Sequence, residues 1–466
     1  MTEPPLVGAI ADDVTGATDV AVAFRRNGLR TFLSFGVSPG LDVGAETVVV
    51  ALKTRMIEPD AAVAQSRAAW DWLRRLGARR VYFKYCSTFD STSRGNIGPV
   101  LDALADATGA ATVVTTPSSP EHGRTQYEGH LFVGDVLLAE SHMRDHPVTP
   151  MRDSNLPRLL RAQTRETVGL LGYRDVLDGE AAIARRLAAA RADGVRYLLA
   201  DAVTDADLRR LGRVVANEPL MAGAAGLAGG IAAALAEKRG EAAAPLAARS
   251  PGETAAPLAD RRDEPAAELA AGGPREAISA APLEHQAPPP PTGPAVVLSG
   301  SCSKRTLEQI AYLRQHDRPA FFLDVSATPD AAALADTALA WYDTLPADAA
   351  PLIYSSVEPE RLHHIQQRIG VERAAAILED ATGRIAHGLA ARGVRRFIAA
   401  GGETSGAVVA ALRVDGGLIG TEAARGVPWI HSPTGDLSLL LKSGNFGEPD
   451  LLARASASGG DDVPAR

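Results

Sequence analysis

The stretch AIADDVTGATDVAVAFRRNG, residues 9–28, places two adjacent carboxylates, Asp12 and Asp13, and a third acid directly behind a short apolar run. An apolar run that breaks into Asp, Thr and Gly reads as a strand turning into a helix, and an Asp there commonly caps the helix. One cap needs one carboxylate. The second is left for proton transfer or for holding a cation.

Two more polar stretches follow apolar runs: YCSTFDSTSRGNIG (85–98) after VYFK, and TPSSPEHGRTQYEGHLFVGD (116–135) after ATVVT. Polar loops at the ends of strands are where open α/β sheets bind ligands. With Asp12, Asp13, Lys53, Arg55 and Lys84 they bring Asp90, Arg94, Arg124 and His130 to one rim. This mixture offers cations to a carboxylate and acceptors to hydroxyls, as a small polyhydroxylated acid requires. Singly these residues say less, since Arg94 can equally be a solvated surface group and His130 an ordinary loop histidine.

In the second half LSGSCSKRT, AAGGETSGAVV and KSGNFG form Gly/Ser/Thr turns, the first two between a strand and a helix. Backbone N–H groups and a helix N-terminus in such turns can hold an anion such as phosphate. GGETSG read alone is also compatible with an ordinary tight turn. Neither a Walker A sequence nor a protein-kinase glycine loop is present. The GxGxxG of a dinucleotide-binding dehydrogenase is missing after the first strand, where ADDVTGATD stands instead.

The elements that must position these loops follow from periodicity. Short apolar runs (LVGAIA, TVVVALKT, VYFKY, ATVVTTP, TVGLL, RYLLADAV) alternate with amphipathic segments, and in one of these Val63, Trp70 and Leu73 share a helical face. Alternation of this kind implies a mostly parallel sheet covered by helices. Composition changes at 238–294, rich in Ala, Pro, Gly and charge and nearly without aromatic or β-branched residues. Such a segment buries too little apolar surface to offset its ordering entropy, so it reads as a linker, with a stiffer end at Pro288–Pro291. Its alanine content also fits a loosely packed helical insertion. Alternation then resumes with AVVLSG, AFFLDV, PLIYSS and RFIAAGG. The expected architecture is two α/β domains with mostly parallel sheets, 1–237 and 295–454, joined by the 238–294 linker and followed by a disordered tail, 455–466. The site is expected in the interdomain cleft.

A chain of 466 residues with 46% hydrophobic and 22% charged residues is of ordinary globular composition. Its net charge of −8 argues against a nucleic-acid partner, which needs concentrated Lys and Arg. Two cysteines, Cys86 and Cys302, carry no zinc-type spacing and fit a reducing compartment. MTEPPLVGAIADD lacks a basic segment followed by a long apolar one, and no run approaches about 20 apolar residues, so neither export nor membrane spanning is expected. A cytoplasmic location is the expectation. Oligomeric state leaves no mark in the sequence.

In order, IADDVTGATDVA, FKYCSTFDSTSRGNIGPV, GHLFVGDVLLAES, HPVTPMRDSNL, LSGSCS, AGGETSGAVV and KSGNFG resemble the four-carbon acid sugar kinase family, nearest its 3-oxo-tetronate branch. The resemblance covers about 6–235 and 295–452. It implies phosphoryl transfer from ATP, with Mg²⁺, to the 4-hydroxyl of a 3-oxo four-carbon sugar acid, the N-terminal domain holding the acid and the C-terminal domain the nucleotide. On this chain the implied nucleotide positions are Ser299, Ser301, Gly401, Gly402, Glu403, Thr404 and Gly444. The implied substrate positions are Lys53, Arg55, Lys84, Ser87, Thr88, Asp90 and Arg94. Asp12 or Asp13 would take the hydroxyl proton or help hold Mg²⁺. A D-threonate or D-erythronate kinase is the near alternative and a non-catalytic sugar-acid sensor the distant one. The linker is longer than the resemblance leads one to expect, which costs little closure entropy, about 0.6 kcal/mol per doubling.

Overall fold

The computed structural model describes residues 4–39, 44–89, 91–146, 149–247 and 295–457. Its first half runs β1 (Val7–Ala11), α1 (Val14–Arg26), β2 (Thr31–Phe35), β3 (Thr47–Ala51), α2 (Pro59–Arg75), β4 (Val81–Lys84), α3 (Ile97–Thr108) and β5 (Val113–Thr116). A small antiparallel sheet follows, β6 (Arg124–Tyr127), β7 (His130–Val133) and β8 (Val136–Leu137), then α4 (Leu156–Arg161) and β9 (Val168–Leu171). The half closes with α5 (Tyr173–Leu177), α6 (Glu180–Ala192), β10 (Tyr197–Ala200), α7 (Asp205–Val215), β11 (Leu220–Gly223) and α8 (Ala225–Ala247). Helix α8 passes position 238, where the linker was expected to begin, and 248–294 lie outside the described residues.

The second half runs β12 (Ala295–Ser299), α9 (Lys304–Gln315), β13 (Ala320–Phe322), α10 (Ala331–Tyr342), β14 (Leu352–Tyr354), α11 (Pro359–Ile369), α12 (Val371–Ala391) and β15 (Arg396–Ala400). Then come α13 (Gly402–Leu412), β16 (Gly416–Ala424), β17 (Val427–His431), β18 (Ser438–Lys442) and α14 (Leu451–Ser456). Helix α14 extends past 454, with Ala455 buried, and the rest of the expected tail, from 458, lies outside the described residues. No helix among the described residues is long and apolar enough to cross a membrane.

Two domains with mainly parallel strands are present, but their strands join into one 15-stranded sheet, ordered β13-β14-β12-β15-β18-β17-β16-β2-β3-β1-β4-β11-β5-β10-β9. The join is an antiparallel pairing of β16 with β2, Gly416 opposite Ser34, Gly417 opposite Leu33 and Leu418 opposite Phe32. Glycine is required on β16: a Cβ on Gly416 would stand 2.3 Å from the Leu33 carbonyl oxygen across the join, and one on Gly417 2.4 Å from that of His431 on β17. One face of the sheet carries an apolar cluster that runs through both halves, from Val20 and Phe24 of α1 to Ile385 and Leu389 of α12. The other face of the first half is covered by α2 and α3, through Trp70, Leu73, Leu101 and Leu104.

Charge reinforces the seam. Arg26 donates to both carboxylate oxygens of Glu422 at 2.7 Å and lies 3.3 Å from Glu121, which also pairs with Arg425. Burial alone would raise Glu121, yet the Arg425 hydrogen bond and the surrounding cations hold it below the ordinary carboxylate range. Arg25 Nε donates to the Ile419 carbonyl at 3.0 Å.

Replacing Gly416 by Val should therefore lower unfolding stability by about 1–3 kcal/mol through overpacking of the seam, read as a drop in urea midpoint. His431 supplies a pH dependence. Burial, together with the charges of Arg25 and Arg396, lowers its pKa to about 4. Between about pH 6.5 and 4 the unfolded chain binds a proton that the folded chain refuses, so this contribution to stability is lost as pH falls through that window. The loss amounts to about 3 kcal/mol at most. Urea midpoints measured from pH 7 to 4 should fall less steeply in His431→Gln than in the parent.

Candidate active site

In both halves the polar loops sit where the chain reverses its direction of growth across the sheet. Strand β1 lies between β3 and β4, and β12 between β14 and β15, so each is a topological switch point whose C-terminal end opens a crevice. Asp12 and Asp13 follow β1, and Gly300 and Ser301 follow β12.

At the first crevice Asp12 is buried and Arg55 grips it with two hydrogen bonds, Nε to Oδ2 at 2.9 Å and Nη2 to Oδ1 at 2.8 Å. The remaining Arg55 nitrogen, Nη1, lies 2.9 Å from Asp13 Oδ2. Asp13 Oδ1 accepts from the Gly16 N–H at 2.6 Å and caps α1. Burial pushes the Asp12 carboxyl above its ordinary range against the pull of Arg55 and Lys84. Lys84 is buried, donates to the Tyr85 carbonyl at 2.7 Å, and its Nζ would stand 2.8 Å from a Cβ on Gly16. Gly16 therefore makes room for an ammonium beside the cap.

The other first-half candidates ring this core. Lys53 is exposed and reaches across to the second half, its Nζ 3.2 Å from where a Cβ on Gly406 of α13 would stand. Ser87 is partly exposed, and Thr88 is buried with its hydroxyl 3.0 Å from Cys86 Sγ. Arg94 is exposed, and Asp90 lies outside the described residues. Asn96, which the sequence did not single out, ties the 85–98 loop to the strand β3 loop by donating to the Thr54 and Ile57 carbonyls at 2.7 and 3.1 Å. His130 lies on β7, its Nδ1 2.8 Å from the Glu128 carbonyl oxygen.

At the second crevice three loops converge. Gly401 is the N-cap of α13 at φ +123°, with no side-chain cap on the helix, and a Cβ there would stand 3.1 Å from the Ser301 nitrogen. Gly402 and Glu403, next in the helix, are exposed, while Thr404 is buried. A Cβ on Gly444 would meet the hydroxyls of Ser301 and Ser303 at 2.7 and 2.8 Å. Its carbonyl accepts from Ser303 Oγ, Thr306 Oγ1 and Lys442 Nζ. Ser299 is buried on Ser356, hydroxyl to hydroxyl, at 2.9 Å. Uncapped N–H groups at an exposed glycine turn fit the phosphates of a nucleotide.

A pocket joins the crevices. Its walls are Val14, Thr15 and Thr18 of α1 on one side, and Gly402, Ser405, Gly426, Lys442, Ser443 and Phe446 on the other.

Residues 7–231 match the family model described as a sugar-binding N-terminal domain, and 296–452 the one described as a nucleotide-binding C-terminal domain. A 3-oxo-tetronate kinase of Burkholderia multivorans is 45% identical over 454 residues, covering 97% of this chain and 96% of that one. One from Cupriavidus necator is likewise 45% identical, with the same shares covered. A solved structure from Salmonella typhimurium LT2, described as a candidate tRNA synthase, superposes with TM-score 0.83 at 38% identity, covering 96% of this chain and 98% of that one. A Haemophilus influenzae structure gives TM-score 0.77 at 38% identity, with the same coverage. The chain belongs to the four-carbon acid sugar kinase family.

Within this kinase the structure adds residues to the pocket that sequence reasoning passed over. Lys442 closes the KSGNFG loop, its buried Nζ donating to Thr306 Oγ1, the Ser443 carbonyl and the Gly444 carbonyl at 3.0, 3.0 and 2.8 Å. Burial and Arg305 lower its pKa to about 8. A lysine ending the apolar run SLLL was the available signal. Beside the pocket stands Asp19, the third acid of the opening stretch, one turn along α1 from Gly16, its Oδ1 3.8 Å from where a Cβ on the lining residue Gly426 would stand.

Arg55→Met should leave Asp12 buried without its partner and cost about 3–5 kcal/mol of stability, seen in a urea titration. Asp12→Asn in the same background should restore much of that loss.

Proposed function

We propose that this kinase transfers the terminal phosphoryl group of ATP, bound with Mg²⁺, to the 4-hydroxyl of 3-oxo-tetronate, yielding 3-oxo-tetronate 4-phosphate. The observation that carries this reading is the pocket with the first turn of α1 as one wall and the first turn of α13 as the other. It supports the reading because the proposed sugar-acid and phosphate loops lie on its two sides, in a chain whose curated relatives at 45% identity are 3-oxo-tetronate kinases.

ATP supplies the phosphoryl group, and Mg²⁺ neutralises phosphate charge. Gly401, Gly402, Glu403 and Thr404 hold phosphate oxygens through the backbone of the α13 start, and Ser301 and Gly444 close the cradle. Ser299 supports the floor beneath Ser301. Among the described residues no group of three or more His, Cys, Asp or Glu could hold a metal ion. On this reading the cation arrives with the nucleotide, and an acid at the start of α1 adds at most one ligand to it.

The sugar acid lies on the first half. Its carboxylate and carbonyl are met by Lys84, Lys53 and Arg94, its hydroxyls by Ser87 and Thr88. Arg55 serves the site by clamping Asp12 and Asp13, which keeps the α1 start rigid. Phosphoryl transfer gains chiefly from such positioning and charge neutralisation, and closing the pocket excludes water that would otherwise hydrolyse ATP. An ATP-consuming reaction of this kind belongs in the cytoplasm.

D-Threonate and D-erythronate replace the 3-carbonyl by a hydroxyl, so discrimination rests on one polar contact. Coupled ADP release with ATP and Mg²⁺ on all three acids should give the largest kcat/KM for 3-oxo-tetronate, by about 100-fold. A larger value for either tetronate would transfer the assignment to that acid. Tight binding of an acid without ADP release would replace the kinase by a sensor.

A further inference from the structure

The two acids at the start of α1 have little left to offer a substrate proton. Both oxygens of Asp12 are engaged by Arg55, and those of Asp13 by the Gly16 N–H and Arg55. Protonating either one would break an ion pair. The third acid of the stretch, Asp19, is different. Its carboxylate makes no hydrogen bond or ion pair among the described residues. It projects from α1 toward the seam, Oδ1 lying 3.8 Å from where a Cβ on Gly426 would stand. Gly426 lines the pocket with Thr15 and Thr18, which neighbour Asp19 on α1. Solvent reaches it only partly.

Resting on the kinase reading above, we propose that Asp19 is the general base that takes the proton from the attacking hydroxyl. As the bond from the substrate oxygen to the terminal phosphorus forms and the bond to the bridging oxygen breaks, Asp19 accepts the hydroxyl proton. The electron pair of the broken bond leaves with ADP, and the proton passes to water when product departs. Lys84, whose ammonium lies against Gly16 one turn away, and Arg55 favour the charged carboxylate, while Asp13 and Glu121 oppose it. Gly426 and Phe446, facing from the second half, carry no charge. Burial sets the balance and raises the carboxyl to about 6, so it is deprotonated at neutral pH yet basic enough to accept a proton.

The test is the pH profile of kcat on 3-oxo-tetronate with ATP and Mg²⁺, for the full chain and for Asp19→Asn and Asp19→Glu. The parent should lose activity on an acidic limb near pH 6. Asp19→Asn should lose about 100-fold or more in kcat together with that limb, and bind ATP within about threefold of the parent by calorimetry. Asp19→Glu should keep the limb and recover part of the rate. The proposal fails if Asp19→Asn keeps kcat within about threefold, if the limb survives in it, or if added Mg²⁺ restores its rate, which would make Asp19 a cation ligand. If Asp19→Asn does not fold, Asp19→Glu decides: folded, ATP-binding and without the limb, it overturns the assignment. Failure of the parent to release ADP with any four-carbon acid would instead overturn the kinase reading itself, before any variant is made.

Discussion

Three residue pairs between β2 and β16 set the geometry on which everything else here depends. Because that pairing is antiparallel, the strands of the two halves run in opposite senses along one sheet. Adjacent strands rotate by about 20–25°, so the seven steps from β1 to β12 accumulate roughly half a turn. A rotation of that size offsets the reversal of strand direction. A single pocket is lined from both halves, by the first turns of α1 and α13. Gly416 makes the approach sterically possible, and the Arg26, Glu422, Glu121 and Arg425 charges lie across the same seam.

The division of labour at the pocket follows from how each half treats its polar groups. In the second half the hydroxyls and Lys442 are spent on one another and on the Gly444 carbonyl, which holds the loops still and leaves backbone N–H groups at the α13 start for an anion. In the first half Arg55 is paired with both Asp12 and Asp13, and the buried Lys84 stands close by, so the wall is held rigid by its own charges. Outside that cluster stand Lys53, reaching toward α13, and Asp19, facing the seam.

Much of the fold could be read from hydrophobic alternation. The apolar runs LVGAIA, VYFKY, TVGLL, RYLLADAV, AVVLSG, PLIYSS and RFIAAGG appear as β1, β4, β9, β10, β12, β14 and β15, with helices between them. The β6–β8 sheet and the β16–β17 hairpin escaped, because short antiparallel strands rich in Gly and polar residues have no period long enough to register. The join between halves escaped for a related reason, since strand pairing between segments nearly 400 residues apart leaves no local pattern.

The sequence by itself determined the residue types at each loop, the place of those loops at strand ends, the family, and the two-domain α/β class. Those are properties of local pattern and motif order. Tertiary structure alone decided which carboxylate is occupied and which is not. ADDVTGATD shows three acids of equal standing. Arg55 arrives from 42 residues beyond Asp13 to pair with the first two, and Gly426 from the other half to face the third. A carboxylate's chemistry depends on its partners and its access to water, and here both come from parts of the chain that only folding brings near.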